Sequence, residues 1–209
     1  MKILLIPKII ETYKGQFEIS VEKNLIYFLK YCFSKSTIEV ACDKKKRSDL
    51  SLVIFSGGNT IKKFSSMKKD NLRDNFDKFY YKNFYKKLPI IGICHGAQYL
   101  ADKQGSKFVK CNNHTSPHDI FLDKLIYKKE KLTKIKSHHN YKILRIKNFE
   151  VSSLAYDKSI ESFYNKKSRV AGVIWHPERQ KNINEQKKII LKHYEIISSD
   201  IQGKIRTKW

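Results

Sequence analysis

Four short apolar runs constrain this chain more than any other feature: Ile3–Ile6, Leu50–Phe55, Leu88–Ile93 and Val170–Trp175. A strand with one face in water alternates apolar and polar side chains. A strand covered on both faces is apolar at successive positions. Each run is bounded by polar or turn residues, so each reads as a strand buried in a parallel sheet. Parallel neighbours need crossovers, and the sequence supplies them. Phe17–Phe33 (FEISVEKNLIYFLKYCF) has apolar positions at helical spacing, and the lysine-rich stretch 60–87 carries Phe64, Phe76, Phe79, Tyr80 and Phe84 as the apolar stripe of a second helix. Strand–helix–strand alternation of this kind predicts an α/β fold: an open, mostly parallel sheet flanked by helices.

Residues 107–156 read differently. Short alternating pieces such as Tyr141–Ile146 and Glu150–Ala155 predict an antiparallel addition to the sheet, placed to cover a site. The chain then returns to the buried run at 170–175 and ends in a helix over about Asn184–Ser198. One domain is expected over 1–199, with a polar tail at 200–209. With 209 residues, 41% of them hydrophobic and 12% aromatic, the chain has enough apolar material for a single core. No run approaches the ~20 apolar residues of a membrane span. The opening MKILLIPKIIETYKG lacks a small-residue cleavage site and breaks at Pro7 and Lys8, so it is read as a first buried strand. A cytoplasmic location is expected, with no membrane partner. There Cys32, Cys42, Cys94 and Cys111, at wide irregular spacings, are expected to be free thiols. The net charge of +23 suits an anionic partner, but the lysines are spread through nearly every segment alongside Ile, Asn, Tyr and Phe, residues that share AT-rich codons. No RNA-binding or zinc-finger spacing sharpens the charge into a nucleic-acid site, so none is expected.

The chemistry lies at the ends of the buried runs. Gly92-Ile93-Cys94-His95-Gly96 follows the run LPII and precedes a helical stretch ended by Gly105. In that context a Gly-x-nucleophile-x-Gly elbow is meaningful: the nucleophile sits on a tight turn where neighbouring Cβ atoms clash. A helix N-terminus beneath its sulfur favours thiolate. Trp175-His176-Pro177-Glu178 closes the last run. If the strand continues, His176 and Glu178 share a face, and the carboxylate can orient the imidazole as a triad's third member does. Ser56-Gly57-Gly58-Asn59 ends another run, and its glycines can turn an N–H toward an oxyanion. All three pieces fall at the carboxyl ends of predicted parallel strands, where open α/β sheets place their sites.

In SGGNT, GICHGAQYL, VSSLAYDKSIES and GVIWHPER the sequence resembles the class I glutamine amidotransferase-like superfamily, most nearly its free-standing γ-glutamyl hydrolases. The likeness runs from MKILLIP to the final helix. It implies a Cys94 nucleophile, His176 as general base and acid, and Glu178 as its orienting group, cleaving a γ-glutamyl amide through a thioester. It also implies an oxyanion hole from backbone N–H groups of His95 and of Gly57 or Gly58, with Gly58 preferred. Substrate binding is implied for Gln98, for Asn59, and for Ser137 and His138 in the segment Lys136–Asn140. The implied substrate is a small γ-glutamyl compound whose leaving amine is anionic or nucleotide-linked. No cofactor is implied, and the oligomeric state is left open.

Two other classes compete. A glutaminase subunit would pass ammonia to a separate synthase, and a basic binding protein could use the same scaffold without catalysis; the intact Cys94, His176 and Glu178 argue against the latter. Cys111, His114 and His118, followed by His138 and His139, have metal-ligating side chains at short spacings. They lack a paired C-x-x-C, and loop histidines on a polar surface are commoner than zinc ligands, so no metal is expected.

Overall fold

The computed structural model describes residues 1–112, 114–123 and 131–205. Strands β1 (Lys2–Ile6), β4 (Thr37–Val40), β5 (Leu52–Phe55), β6 (Ile90–Ile93) and β13 (Val170–Val173) form the parallel part of an 11-stranded sheet, in the order β4-β1-β5-β6-β13. From β13 the sheet continues antiparallel through β12 (Ile160–Asn165), β11 (Glu150–Ala155), β8 (Pro117–Leu122) and β9 (Lys131–Lys136). A further strand, β10 (Tyr141–Arg145), pairs with β12 and with β7 (Lys107–Lys110). The expected α/β architecture with an antiparallel addition is therefore the one observed.

The consecutive apolar pattern has a direct structural cause. Ile3, Leu5 and Ile54 point into one layer, where α1 (Lys23–Cys32) contributes Leu25 and Phe28 and α4 (Ile183–Ile205) contributes Ile189, Ile190 and Ile197. Leu4, Ile6 and Phe55 point the other way, onto Tyr80 and Phe84 of α2 (Lys68–Phe84) and Tyr99 and Leu100 of α3 (His95–Asp102). Both faces are covered, so neither parity of the strand can be polar.

Three expectations need correction. Residues 17–20 are not helix: Gln16–Ser20 is β3, hairpinned to β2 (Lys8–Tyr13) in a separate two-stranded sheet, and α1 begins only at Lys23. Gly15, at φ +83°, supplies the turn. Ile9 pairs with Ile19 across the hairpin, and Ile19 falls inside the stretch read as helix. Phe64 lies in a short 3₁₀ turn before α2, not on it, and stacks on Tyr141 with ring centroids 4.0 Å apart. The last helix runs on to Ile205, into the stretch read as a polar tail; no proline interrupts it.

One buried ionic chain joins α2 to the ends of β5 and β6. Arg73 and Asp77 lie one helical turn apart with fully buried side chains, Arg73 Nε donating to Asp77 Oδ1 at 2.8 Å. Arg73 Nη2 donates to the Ser56 carbonyl at 2.8 Å. The other carboxylate oxygen of Asp77 meets His95 Nε2 at 2.8 Å, and His95 Nδ1 meets the Asn59 carbonyl at 3.0 Å. The turn after β5 and the residue after Cys94 are thus tied to the same helix. Removing one member of a buried charge pair leaves the other uncompensated and costs about 3–5 kcal/mol. Asp77→Ala should lose stability of that order in denaturant titration. A loss of under ~1 kcal/mol, the range of an exposed pair, would contradict this account.

Candidate active site

Cys94 stands between β6 and α3 at φ +51° and ψ −107°, a conformation that costs a non-glycine residue free energy and that the surroundings must enforce. The enforcement is steric. A Cβ on Gly96 would lie 2.1 Å from the Phe55 carbonyl oxygen, and one on Gly92 would lie 2.5 Å from the backbone of residues 96 and 97. Glycine at both positions lets α3 start against β5, and Cys94, as N-cap of α3, is held at the helix's positive end. The elbow read from the sequence is therefore present.

His176 and Glu178 reach this point by a different route from the one expected. The strand β13 ends at Val173, and Pro177–Arg179 form a 3₁₀ turn, so the two residues do not share a strand face. Pro177 opens that turn, and the turn folds the carboxylate back onto the ring: His176 Nδ1 and Glu178 Oε1 are 2.6 Å apart, with both side chains buried. An anchor lies just upstream, where Trp175 Nε1 donates to Gln186 of α4 at 2.8 Å. The other edge of the imidazole faces the turn after β5 and Cys94. A Cβ on Gly57 would fall 2.6 Å from His176 Cε1 and 3.1 Å from Cys94 Cβ. Burial alone would lower the His176 pKa, but the Cys94 sulfur and the Glu178 carboxylate outweigh it and raise it to about 10. Arg179 approaches Glu178 at 3.8 Å and is paired with Glu22, which also meets Lys8.

Of the remaining expected residues, some are placed at the site and some are committed elsewhere. Gly57 is the glycine packed against His176 and Cys94, while a Cβ on Gly58, at φ +107°, would meet Lys8 Cδ at 2.6 Å. His95 is fully buried with both ring nitrogens facing acceptors, as a doubly protonated ring would have them, whereas burial and Arg73 push its pKa down. The ring is enclosed between those two acceptors, so only its backbone is available to a ligand. The Asn59 side chain is consumed internally: Oδ1 accepts from Ile9 N at 3.0 Å, and Nδ2 donates to the Ile9 carbonyl at 2.9 Å and to Asp70 at 3.0 Å. Asn59 thus holds the turn to the β2–β3 hairpin and is not free to bind substrate. Gln98 is buried and donates to the Tyr141 carbonyl at 2.7 Å. Ser137 is buried, its hydroxyl without a hydrogen-bond partner among the described residues, and His138 is exposed.

The sequence reading missed Gln180. Its amide bonds Lys136 N at 2.7 Å, the Lys136 carbonyl at 2.9 Å and the His176 carbonyl at 2.6 Å, splicing the segment 136–140 to the triad loop. Nothing in its local pattern marks it, because its partners lie 44 and 4 residues away.

The pattern of the class I glutamine amidotransferase family matches residues 16–195. The chain belongs to that family. A γ-glutamyl-CDP-amidate hydrolase of Campylobacter jejuni is 34% identical over 134 residues, which are 63% of this chain and 64% of that protein, just under two thirds of its length. A glutamine-hydrolysing GMP synthase of Tropheryma whipplei is 36% identical over 110 residues, 51% of this chain but 22% of the synthase. Among solved structures, a GMP synthase subunit from Thermoplasma acidophilum superposes with TM-score 0.72 at 17% identity, covering 98% of this chain and 97% of its own. A glutamine amidotransferase from Thermotoga maritima gives TM-score 0.62 at 13% identity, covering 98% and 85%. These superpositions establish that this family member has the family's fold. Among the described residues no helix is long and apolar enough to cross a membrane.

The raised His176 pKa fixes the sign of a pH effect. A histidine held above its unfolded value of ~6.5 stays protonated through neutrality, and the interaction that raises it is lost as pH climbs through about 10. Glu178→Gln removes one of the charges that raise it. The alkaline limb of kcat/KM should therefore move to lower pH in Glu178→Gln, and this variant should keep more activity than Cys94→Ala. An unmoved limb would show that Glu178 does not act on His176.

Proposed function

We propose that this protein hydrolyses a γ-glutamyl amide through a covalent Cys94 intermediate. The observation that carries the reading is the convergence at one point of a sulfur on a strained, glycine-flanked elbow and an imidazole held at 2.6 Å by a buried carboxylate. The thiolate attacks the γ-carbonyl carbon, and the carbonyl oxygen becomes an oxyanion. Backbone N–H groups of His95 and of Gly57 or Gly58 would receive it. His176 gives its proton to the departing nitrogen, the C–N bond breaks and a γ-glutamyl thioester remains. Water, deprotonated by His176, then attacks the thioester and releases glutamate. Ser137 and His138 are the residues of the segment 136–140 that the substrate's glutamyl group would meet.

For the leaving amine, the reading is an anionic, nucleotide-linked one, γ-glutamyl-CDP-amidate, whose hydrolysis yields glutamate and cytidine diphosphoramidate. Two observations support it: the name and likeness of the Campylobacter relative, and a net charge of +23 that draws an anion toward the molecule. The likeness to GMP synthase favours a second reading, a glutaminase subunit that delivers ammonia to a separate synthase. Specificity constants for glutamate release separate the two. The nucleotide conjugate should exceed glutamine by at least roughly tenfold, about 1.4 kcal/mol, and the margin should narrow as salt rises. Equal constants, or a preference for uncharged amines, would remove the nucleotide reading. Glutamine turnover that rises on adding a synthase would favour the ammonia-delivering reading.

A further inference from the structure

Outside the triad, a second set of titratable side chains converges on one buried carboxylate. Glu161, on β12, is completely buried, and its Oε1 lies 3.0 Å from His114 Nδ1, 3.6 Å from His118 Nε2 and 3.5 Å from His139 Nε2. His118 Nε2, His139 Nε2 and Glu161 Oε2 are buried with no hydrogen-bond partner among the described residues. The atoms of His114, His118 and Glu161 lie within 4.8 Å of one another.

The far side of each ring decides what the near side can be. His118 Nδ1 meets the Ser116 carbonyl at 3.2 Å, and His139 Nδ1 meets the Tyr141 carbonyl at 3.0 Å. His114 Nε2 meets the Asp157 carboxylate at 3.1 Å, and the same Asp157 oxygen accepts from Lys142 at 2.7 Å. The outer partners of His118 and His139 are carbonyl acceptors, so those outer nitrogens carry the proton, and a neutral ring then turns a lone pair toward Glu161. His114 stands between two carboxylates and can donate to Glu161, but the two lone pairs of His118 and His139 still face that carboxylate and repel it. Doubly protonating the rings is no remedy, because His118 and His139 have centroids only 4.4 and 4.9 Å from that of His114, and three cations would crowd a buried space. A cation among them satisfies all four groups. Ligands ~2.0–2.1 Å from a tetrahedral zinc ion stand about 3.3–3.4 Å apart, which lies among the three Glu161 distances; His114, His118 and Glu161 form the compact set, and His139 adjoins it through Glu161. The outer acceptors are the orienting partners that metal-bound histidines use.

We propose that His114, His118, His139 and Glu161 bind a divalent transition-metal ion of the zinc class. The set differs from the one weighed on the sequence. The Cys111 thiol turns to the His139 carbonyl at 3.6 Å, His138 is exposed, and the carboxylate comes from a strand 43 residues beyond His118. The ion pins the loop before β8, the strand β12 and the segment 136–140 together. The Tyr141 carbonyl, which accepts from both His139 and Gln98, links that segment to α3. The role is structural, and it does not depend on what Cys94 cleaves.

The test uses full-length protein purified without chelator. Elemental analysis should find a zinc-class ion near one per chain. Metal-stripped protein given Co²⁺ should develop the visible absorption of a tetrahedral nitrogen and oxygen site, and chelator should lower the Tm. His118→Ala, a truncation at the least buried of the four ligands, should lose the cobalt spectrum and the chelator effect on Tm. Glu22, His176 and Glu178 also cluster within 4.8 Å, so His176→Ala is the control and should keep both. The proposal is overturned if wild-type protein holds no stoichiometric metal and gives no cobalt spectrum. It is equally overturned if the spectrum survives His118→Ala or vanishes in His176→Ala.

Discussion

The buried pairing of Arg73 with Asp77 is the constraint from which the site's geometry follows. Two charges taken fully out of water are tolerated only where each is multiply bonded. Here the bonds run to the Ser56 carbonyl on one side and to His95 on the other. Ser56 begins the turn that brings Gly57 against His176, and His95 is the residue after the nucleophile. A helix packed under the sheet therefore ties the turn carrying Gly57 to the elbow carrying Cys94. The strained backbone at Cys94 persists because that arrangement, with Gly96 pressed on Phe55, leaves the elbow no relaxed alternative.

On the far side the triad loop is fixed by equally specific contacts. Trp175 is pinned to α4, Gln180 to the segment 136–140, and Arg179 to Glu22 at the start of α1. Elements distant in sequence thus meet within a few ångströms of His176. The cluster around Glu161 draws together the loop before β8, β12 and the segment 136–140 of the antiparallel addition. A protein whose charge is dominated by solvated lysines reserves its few buried charges for these junctions.

Much of this was legible in the sequence. Runs apolar at consecutive positions marked the parallel strands, because burial on both faces leaves a local signature. The glycines around Cys94 marked the elbow, because the clash they avoid is local too. The hairpin at 8–20 was not legible: its second strand, including Phe17 and Ile19, lies at the start of the stretch Phe17–Phe33 that also fits a helix, and only pairing across Gly15 decides between them. The relation of His176 to Glu178 was expected for the wrong geometric reason, a strand face where the chain makes a 3₁₀ turn. Asn59 looked like a ligand contact because its partner Ile9 lies 50 residues away. Arg73, Asp77 and Glu161 escaped notice for the same reason, as did Gln180 in its loop: charged or polar residues look like solvent-facing ones until the tertiary fold commits them.

The central claim, that the γ-glutamyl group passes through Cys94, is tested most directly by stopping the reaction. Enzyme mixed with excess γ-glutamyl substrate and quenched in acid within one turnover should carry a γ-glutamyl thioester, seen by mass spectrometry as a gain of glutamate less water on the peptide containing Cys94. The buried Cys32 and Cys111 and the exposed Cys42 should carry none. Glutamate release with no adduct on Cys94 at any time point, or with the adduct on another cysteine, would contradict the account.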